Sequence, residues 1–394
     1  MTINSDQSRM TEIEAKFTDL FGSAAEFVVR APGRVNLIGE HTDYNDGYVF
    51  PAAIDRDVLI AGSLRNDQQV RAYALNFNQA TTFPLERVQP AGEGREKWSN
   101  YLRAMAWVFH NEGLGTRGMN CVTLGNVPLG AGLSSSAALL VASGLAFSAA
   151  AGLEVEPVRL ALLAQKAERE FVGVNVGIMD QYISALGQKD HALLIDTRSL
   201  TYEAVPLPQS GVSIVIADSN KKRGLVDSEY NTRRSECERA VEILKDFLPD
   251  IKALRDVSVK QFDQYKDRLP EVTRMRARHV VTEDERTLEG VAALKRGDVE
   301  RFGVLMNESH ESLRSDYQVS CKELDALVEA ARSVDGVYGA RMTGAGFGGC
   351  TVSLVRSEAV ETFQKQVAER YKKATGLNTM IYVTTASQGA QRLR

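Results

Sequence analysis

The stretch from Val127 to Leu153 limits the possible folds of the chain most, because it joins a glycine-rich loop directly to a segment with high helix propensity. Its first part contains Pro128, Gly130 and Gly132, which exclude regular structure. Its second part is rich in alanine and leucine, with serines where an N-cap residue belongs. A helix N-terminus that follows such a loop presents free backbone N–H groups and a positive dipole end to an anion. The stretch therefore predicts a cradle for a triphosphate.

The predicted cradle combines loop backbone with three hydroxyls that offer donors to phosphate and a ligand to Mg²⁺. Its members are Gly130, Ala131, Gly132, Leu133, Ser134, Ser135 and Ser136. A membrane span is an alternative, since no charged residue occurs from Cys121 to Leu153, but proline, glycines and serines interrupt the run and favour a buried helix. A dinucleotide loop would need a third glycine where Ser135 stands. Plain packing of a loop against a helix stays open.

Length and composition limit the class of protein. A chain of 394 residues is long enough for two domains, and 25% charged with 44% hydrophobic residues indicates a soluble globular protein. A formal net charge of -4 argues against a nucleic-acid binder. The four cysteines are scattered and suggest neither a zinc site nor a disulfide framework. The first residues lack the apolar segment of a secretory signal, so we expect a cytoplasmic protein.

A second polar loop lies between Ala31 and Gly47. The segment carries turn signals at Pro32-Gly33 and Asp46-Gly47, and Glu40, His41 and Asp43 stand close together between a short apolar run and the second turn. Such crowding suits a polyhydroxyl ligand, because each sugar hydroxyl both donates and accepts a hydrogen bond. A hairpin loop whose carboxylates cap turns is an equally compatible interpretation.

Other candidate residues stand on predicted helices. Trp98 and Tyr101 share a helix face and either stack on an adenine or fill the core. Asp180 follows the helix-breaking segment 173–177 and falls at a helix N-terminus, where the dipole favours an ionised carboxylate, although Asp is also a common first-turn residue.

Apolar periodicity in the second half of the chain predicts helices from Ser228 to Leu248 and from Val259 to Tyr265, and a strand from Met380 to Thr384.

A third glycine-rich loop contains Gly344, Gly346 and Gly349. The strand-like segment after it, Cys350 to Val355, excludes a dinucleotide loop and favours a turn whose backbone approaches the first site. The chain has no Gly-Lys pair for a Walker loop and none of the protein-kinase motifs. Its five histidines are spread widely, so no histidine metal cluster is indicated.

These motifs together resemble a known family. The segment from Gly33 to Gly47 resembles the galactokinase signature. The loop from Pro128 to Ala137 resembles the second motif of the wider GHMP kinase superfamily, and Met342 to Cys350 resembles the third. The resemblance spans nearly the whole chain in the same order. The glycine loops are shared with mevalonate and homoserine kinases, whereas the Glu-His-Thr-Asp segment is much more specific to galactokinases.

The resemblance implies an α+β protein with the two-domain GHMP kinase fold. An N-terminal α/β domain with a mixed sheet is expected over residues 1–208, and a C-terminal α+β domain over residues 209–394. The linker candidate is Pro206 to Gly211, and the active site is expected in the cleft between the domains.

The reaction implied is the transfer of phosphate from ATP to the anomeric C1 hydroxyl of α-D-galactose, which opens galactose catabolism by the Leloir pathway. By the resemblance, Asp180 takes or orients the C1 proton, while Arg34 keeps Asp180 ionised and stabilises charge on the moving phosphoryl group. Two alternatives stay open: an N-acetylgalactosamine kinase on the same scaffold, and a non-catalytic sensor of galactose and ATP. The expected partners are D-galactose and ATP, without nucleic acid or membrane, and a monomer is favoured.

The resemblance also assigns binding residues. The sugar is read by Glu40, His41, Thr42, Asp43, Gly173, Asn175 and Tyr230. The cradle holds the triphosphate, with Trp98 and Tyr101 beside the adenine. Mg²⁺ is placed by Ser136 and Glu168, the latter chosen over Glu170 because it matches the Ala-Glu position of the family.

Overall fold

A computed structural model describes residues 3–221 and 226–394, and the side chains of residues 7–221 and 229–394. Its strands are β1 (Phe27–Asn36), β2 (Tyr48–Val49), β3 (Pro51–Leu64), β4 (Gln69–Ala74), β5 (Gln79–Pro84), β6 (Met119–Gly125), β7 (His191–Asp196), β8 (Thr201–Pro206), β9 (Val212–Asp218), β10 (Val337–Thr343), β11 (Cys350–Arg356), β12 (Met380–Thr384) and β13 (Gln391–Arg392). Its α-helices are α1 (Ile3–Phe21), α2 (Asn100–Asn111), α3 (Ser135–Ala151), α4 (Pro157–Lys166), α5 (Met179–Leu186), α6 (Val226–Leu244), α7 (Val259–Tyr265), α8 (Glu271–Lys295), α9 (Val299–Ser312), α10 (Lys322–Arg332) and α11 (Val360–Thr375).

The first sheet is six-stranded and mixed, in the order β13-β1-β3-β6-β4-β5, with β4 and β6 parallel. Successive residues of β1 point to opposite faces, and both faces are covered. Val28 packs on one face against Ile13 and Phe17 of α1. Phe27 and Val29 belong to the main core on the other face, to which α2–α5 contribute. The sheet is therefore a middle layer between helices.

Helix α3 accounts for the long uncharged stretch of the sequence. The helix is apolar on all sides because it is buried in the main core, and most of its side chains are inaccessible to solvent. Among the residues that the structure describes, no helix is both long and apolar enough to cross a bilayer. The buried-helix interpretation of this stretch is confirmed.

The second sheet is four-stranded and antiparallel, in the order β10-β11-β9-β12. Residues of β9 alternate between its two faces. Val215 packs with Phe363 of α11, whereas Ile216 joins the main core that also contains Phe302 of α9. A small three-stranded sheet, β2-β7-β8, contacts strand β3 of the first sheet through β7. The main core thus runs continuously through both halves of the chain, as a cleft-bearing α+β fold requires.

The end of the chain returns to the first sheet. Arg392 pairs with Val29, so β13 extends the sheet that the N-terminal half builds. The division into residues 1–208 and 209–394 stays a prediction, but the last strand lies with the first unit rather than the second.

Most predicted elements are confirmed, among them the helix Val259–Tyr265, the strand Met380–Thr384 and the strand after the third glycine loop. The turn predicted at Pro32-Gly33 is wrong, because β1 continues through it with a register shift between Pro32 and Arg34. The helix predicted from Ser228 to Leu248 ends at Leu244, and the side chain of Ser228 lies outside the described residues.

Candidate active site

A cavity of about 300 Å³ lies where the three glycine-bearing loops and the polar loop after β1 converge. It brings together the predicted catalytic and metal residues and every predicted sugar residue except Thr42. The lining residues are Arg34, Glu40, His41, Asp43, Tyr101, Ser136, Glu168, Gly173, Val174, Asn175, Val176, Gly177, Met179, Asp180, Tyr230, Asn231, Gly344 and Ala345.

Asp180 stands in the first turn of α5, and its carboxylate is held on both oxygens. Nε of Arg34 donates to Oδ1 at 2.8 Å, and Nη2 of Arg34 donates to Oδ2 at 2.8 Å. The third guanidinium nitrogen, Nη1, donates to the carbonyl of Gly132 at 2.6 Å. Arg34 is buried, whereas 28% of the Asp180 side chain is exposed. The pair therefore fixes a carboxylate that still reaches the cavity.

Ser134 takes a role that the sequence did not predict. Its hydroxyl donates to Oδ2 of Asp180. It stands at the N-cap position of α3 with left-handed backbone (φ 60°) and makes no side-chain capping bond. The expectation that a side-chain hydroxyl caps α3 at this position is therefore wrong, whereas phosphate binding by Ser134 stays a prediction.

The rest of the predicted cradle is only partly open to solvent. Gly130 and Gly132 have φ of 71° and 79°, a region that side chains rarely adopt. Gly130 is exposed, and Ser135 and Ser136 are partly exposed at the start of α3. The side chains of Ala131 and Leu133 are buried in the core, so these two residues can offer only backbone to a ligand.

Two carboxyl groups of the polar loop face the same cavity, Glu40 buried and Asp43 half-buried. Burial raises the pKa of Glu40 despite the opposing charge of Arg341, and the backbone N–H of Gly344 donates to its Oε1 at 2.6 Å. Burial, reinforced by the charge of Asp180, raises the pKa of Asp43 to about 7. A Cβ added at Gly177 would lie 1.7 Å from Oδ2 of Asp43, so the loop 173–177 needs glycine there. Both carboxyls are poised for hydrogen bonds to neutral hydroxyls.

His41 joins the polar loop to the third glycine loop. Its Nε2 lies 3.3 Å from the carbonyl of Ala345 and must donate to it, which leaves Nδ1 to accept from the hydroxyl of Tyr44 at 2.7 Å. Burial lowers the pKa of His41 to about 3, so the ring is neutral. The rings of Tyr230 and Tyr317 lie 5.6 and 4.8 Å from it. The imidazole lines the cavity with both nitrogens already engaged.

Thr42 is the one predicted sugar residue that is absent from the cavity wall. It is fully buried, and its hydroxyl lies 2.6 Å from the carbonyl of Tyr48 and 3.0 Å from that of Gly39. Its side chain thus closes the loop on itself, and its assignment to the substrate is corrected.

The two predicted metal ligands line the same cavity. Glu168 lies in a π-helical turn, Ala167–Val172, and is buried. Nε2 of Gln181 donates to Oε2 of Glu168 at 2.6 Å and orients the carboxylate. Glu168 and Ser136 both offer oxygen ligands to the cavity. Two such ligands suit Mg²⁺, because phosphates and water supply most of the other ligands of this ion. No group of three His, Cys, Asp or Glu side chains with metal-site geometry occurs among the described residues.

A second cavity, of about 280 Å³, adjoins the first and shares Tyr101 and Ser136 with it. Its walls are mainly apolar and include Trp98, with Phe77 and Leu129 exposed at 43% and 63%. A flat apolar slot beside a phosphate-binding loop has the character of a nucleobase site. The placement agrees with the adenine interpretation of Trp98 and Tyr101.

Sequence reasoning missed several residues of the site. Arg341 is fully buried, and its Nη1 lies 3.5 Å from Oε1 of Glu40 and 2.9 Å from the carbonyl of Asn36. A single charge within the otherwise uncharged strand β10 was the available signal, because buried charges need partners. Asn231 and Tyr317 gave no comparable signal, since polar and aromatic residues are common on helices.

Comparison with known proteins agrees with this geometry. The galactokinase galactose-binding signature matches residues 15–64, the GHMP kinase N-terminal domain matches residues 100–188, and the GHMP kinase C-terminal domain matches residues 291–373. A galactokinase of Roseiflexus sp. (strain RS-1) is 50% identical over 382 residues, which are 97% of either chain. The crystal structure of Lactococcus lactis galactokinase complexed with galactose superposes with a TM-score of 0.93 at 38% identity, covering 98% of this chain and all of that one. The mevalonate kinase of Methanococcus jannaschii shares the fold alone, with a TM-score of 0.65 at 20% identity and 92% and 98% of the two chains covered.

Fold, phosphate loop and cleft therefore define a GHMP kinase. The galactose-binding signature in the polar loop after β1, and 50% identity to a galactokinase over 97% of the chain, identify the family within this superfamily. The chain belongs to the galactokinase family.

Proposed function

We propose that the chain transfers the γ-phosphoryl group of ATP to the anomeric C1 hydroxyl of α-D-galactose, the step that opens galactose catabolism. One observation carries the assignment of roles: the Asp180 carboxylate, fixed by Arg34 and Ser134, opens onto a cavity that is also lined by Ser136 and the sugar-loop carboxyls. The family relationship supports the proposed reaction, and this geometry supports the proposed roles of the residues.

In the proposed reaction Asp180 accepts the C1 proton as the sugar oxygen attacks the γ-phosphorus. The bond from phosphorus to the β,γ-bridging oxygen breaks, and ADP leaves with that oxygen. Phosphoryl transfer depends mainly on alignment and charge stabilisation, and a positioned base contributes about 10²- to 10⁴-fold. Arg34 holds Asp180 in place and adds a fixed positive charge beside the reacting groups.

The sugar lies against Glu40, His41, Asp43, Gly173, Asn175 and Tyr230. Asp43 and Glu40 offer carboxyl oxygens to the ring hydroxyls, and Tyr230 adds a hydroxyl and an aromatic face. Two of these positions, Gly173 and Asn175, are exposed at the mouth of the cavity and would contribute backbone or amide contacts.

ATP lies along the first turn of α3, with its phosphates on the backbone of residues 130–136 and its adenine between Trp98 and Tyr101. Ser136 and Glu168 would hold Mg²⁺, which neutralises phosphate charge when it is bound. The orientation of Glu168 by Gln181 is the observation that favours this carboxylate.

The test is ADP release from MgATP with D-galactose, N-acetylgalactosamine, D-glucose or no sugar. Turnover with galactose alone is expected. Turnover mainly with N-acetylgalactosamine would keep the mechanism and change the substrate. Binding of ATP and galactose without turnover would refute catalysis and support the sensor. Asp180→Asn serves as the matched inactive variant, since its side chain has the same size.

A further inference from the structure

Helix α8 places a row of polar side chains on its buried face. His279, Glu283 and Thr287 are spaced by four residues and so lie in line, with Asp284 beside them. All four are buried. A buried helix face ordinarily carries apolar side chains, so these polar groups need partners. Thr287 donates to the carbonyl of Glu283 on the same helix, whereas the other three side chains bond to the sugar-reading loop, residues 39–48.

Glu283 holds the start of that loop. Its Oε1 accepts hydrogen bonds from the backbone N–H groups of Gly39 at 3.0 Å and Glu40 at 3.4 Å. The hydroxyl of Ser309 donates to the same oxygen at 2.6 Å, and Nε of Arg286 donates to Oε2 at 2.8 Å. Arg286 and His279 lower the pKa of Glu283 to about 2 against the effect of burial, so this acceptor is ionised.

His279 holds the other side of the same residue. Its Nε2 lies 3.1 Å from the carbonyl of Glu40 and must donate to it, while Nδ1 accepts from the hydroxyl of Ser312 at 2.9 Å. Both backbone groups of Glu40, its N–H and its carbonyl, are therefore held by α8, and its side chain faces the cavity.

Asp284 holds the end of the loop. Its Oδ1 accepts from the backbone N–H of Tyr48 at 2.7 Å. A Cβ added at Gly47 would lie 2.4 Å from that oxygen, and one added at Gly39 would lie 2.6 Å from the carbonyl of Tyr48. Both ends of the loop thus meet on a single turn of α8.

We infer that His279, Glu283 and Asp284 are positioning residues that set the affinity for the sugar by fixing the loop that reads it. The inference rests on the proposed function, because the loop is taken to contact galactose. These side chains do not line the cavity themselves and act only through the loop backbone. The predicted ATP cradle at the start of α3 contacts none of the three side chains, so a positioning role should leave the KM for ATP unchanged. A role in general packing would instead raise the KM values for both substrates.

The experiment compares alanine and amide variants at two positions: Asp284→Ala with Asp284→Asn, and Glu283→Ala with Glu283→Gln. The amides keep a carbonyl oxygen where the backbone N–H groups need an acceptor, whereas alanine removes it. We expect the alanine variants to raise the KM for galactose about tenfold or more, because a loop that shifts loses hydrogen bonds between its carboxyl groups and the sugar hydroxyls. The amide variants should recover most of this loss, and the KM for ATP should stay unchanged throughout.

Glu289→Ala is the control, since Glu289 stands on the same helix and pairs at the surface with Arg301. It should change neither KM. If Glu283→Ala does not fold, the Asp284 pair still gives the comparison. Equal rises of both KM values, or an asparagine variant no better than alanine, would overturn the inference.

Hydrogen exchange of the amides of residues 39–48 adds a readout that needs no turnover. Faster exchange there in Asp284→Ala, with slow exchange restored in Asp284→Asn, is expected. Unchanged exchange would overturn the positioning role. Absence of galactose turnover by the unsubstituted protein would refute the proposed function alone, so the two failures are distinguishable.

Discussion

Gly177→Ala tests the sugar site with the smallest possible change. The new methyl group would lie 1.7 Å from Oδ2 and 2.3 Å from Cγ of Asp43, far inside contact distance. The loop around Asp43 cannot yield easily, because Thr197 donates to the Asp43 carbonyl at 3.2 Å and Thr42 anchors the preceding turn. The carboxyl group of Asp43 must therefore turn away from its place in the cavity wall.

The size of the effect follows from what Asp43 loses. Above about pH 7, where the Asp43 carboxyl is ionised, a hydrogen bond to it contributes about 1.5–3 kcal/mol, so losing one at the sugar weakens the interaction by roughly tenfold to a hundredfold. The KM for galactose should rise by that factor. The KM for ATP should change little, since neither Gly177 nor Asp43 lines the adjoining apolar cavity.

Initial rates of ADP release, with galactose varied at saturating ATP and then ATP varied at saturating galactose, give both constants. Gly92→Ala is the matched control, because a Cβ added at Gly92 meets no atom within 4 Å. An unchanged KM for galactose in folded Gly177→Ala would refute the assignment of Asp43 to the sugar. A parallel rise in the KM for ATP would indicate a general distortion of the cleft instead.

Three further predictions concern other parts of the site. Asp180→Asn should lower kcat by about 10²- to 10⁴-fold with the KM for ATP nearly unchanged, and turnover close to that of the unsubstituted protein would exclude Asp180 as the base. Ser136→Ala should raise the Mg²⁺ concentration needed for half-maximal rate by about tenfold, measured by titrating Mg²⁺ at fixed ATP; an unchanged requirement would remove Ser136 from the metal site. Burial raises the pKa of Asp284 to about 7, although Arg255 lowers it and Glu283 and Asp196 raise it further. The folded protein then binds a proton that the unfolded chain lacks, so Asp284 makes stability fall as pH rises from about 4 to about 7. Asp284→Asn should therefore gain thermal stability relative to the unsubstituted protein as pH rises from 5 to 7, and a difference in melting temperature that does not vary with pH would contradict this sign.

The sequence predicted helices and strands correctly where a short apolar pattern and its flanking residues determine the local structure. Helix α7 and strand β12 have the predicted bounds because turn or polar residues flank a short periodic segment. The turn predicted at Pro32-Gly33 failed for the opposite reason. Pairing with β3 on one side and β13 on the other keeps β1 extended, and a bulge absorbs the irregularity. Tertiary pairing of this kind leaves no local signal.

The site shows the same contrast. Asp180, Arg34 and the loop carboxyls were predictable because their motifs resemble those of a known family. The role of Ser134 was not, since only the folded chain brings its hydroxyl to Asp180, 46 residues away. Glu283 lies still further from its partner Gly39, 244 residues along the chain. Contacts at such separation depend on the fold itself, and a charged residue on a helix reads as a surface residue until its burial is known.

The two sides of the cleft differ in their hydrogen bonding and in their exposure to solvent. Two acidic residues on the sugar side are held by several hydrogen bonds: Asp180 by Arg34 and Ser134, and Glu40 by Gly344, Glu283 and His279. The nucleotide side leaves backbone and apolar side chains exposed, with Leu129 at 63%. A preorganised pocket loses little entropy on binding, whereas an exposed apolar slot gains free energy when a base covers it. On the proposed assignment of the two sides, we expect selectivity among sugars to depend on the hydrogen-bonded wall, and affinity for ATP to depend on apolar surface that the nucleotide covers.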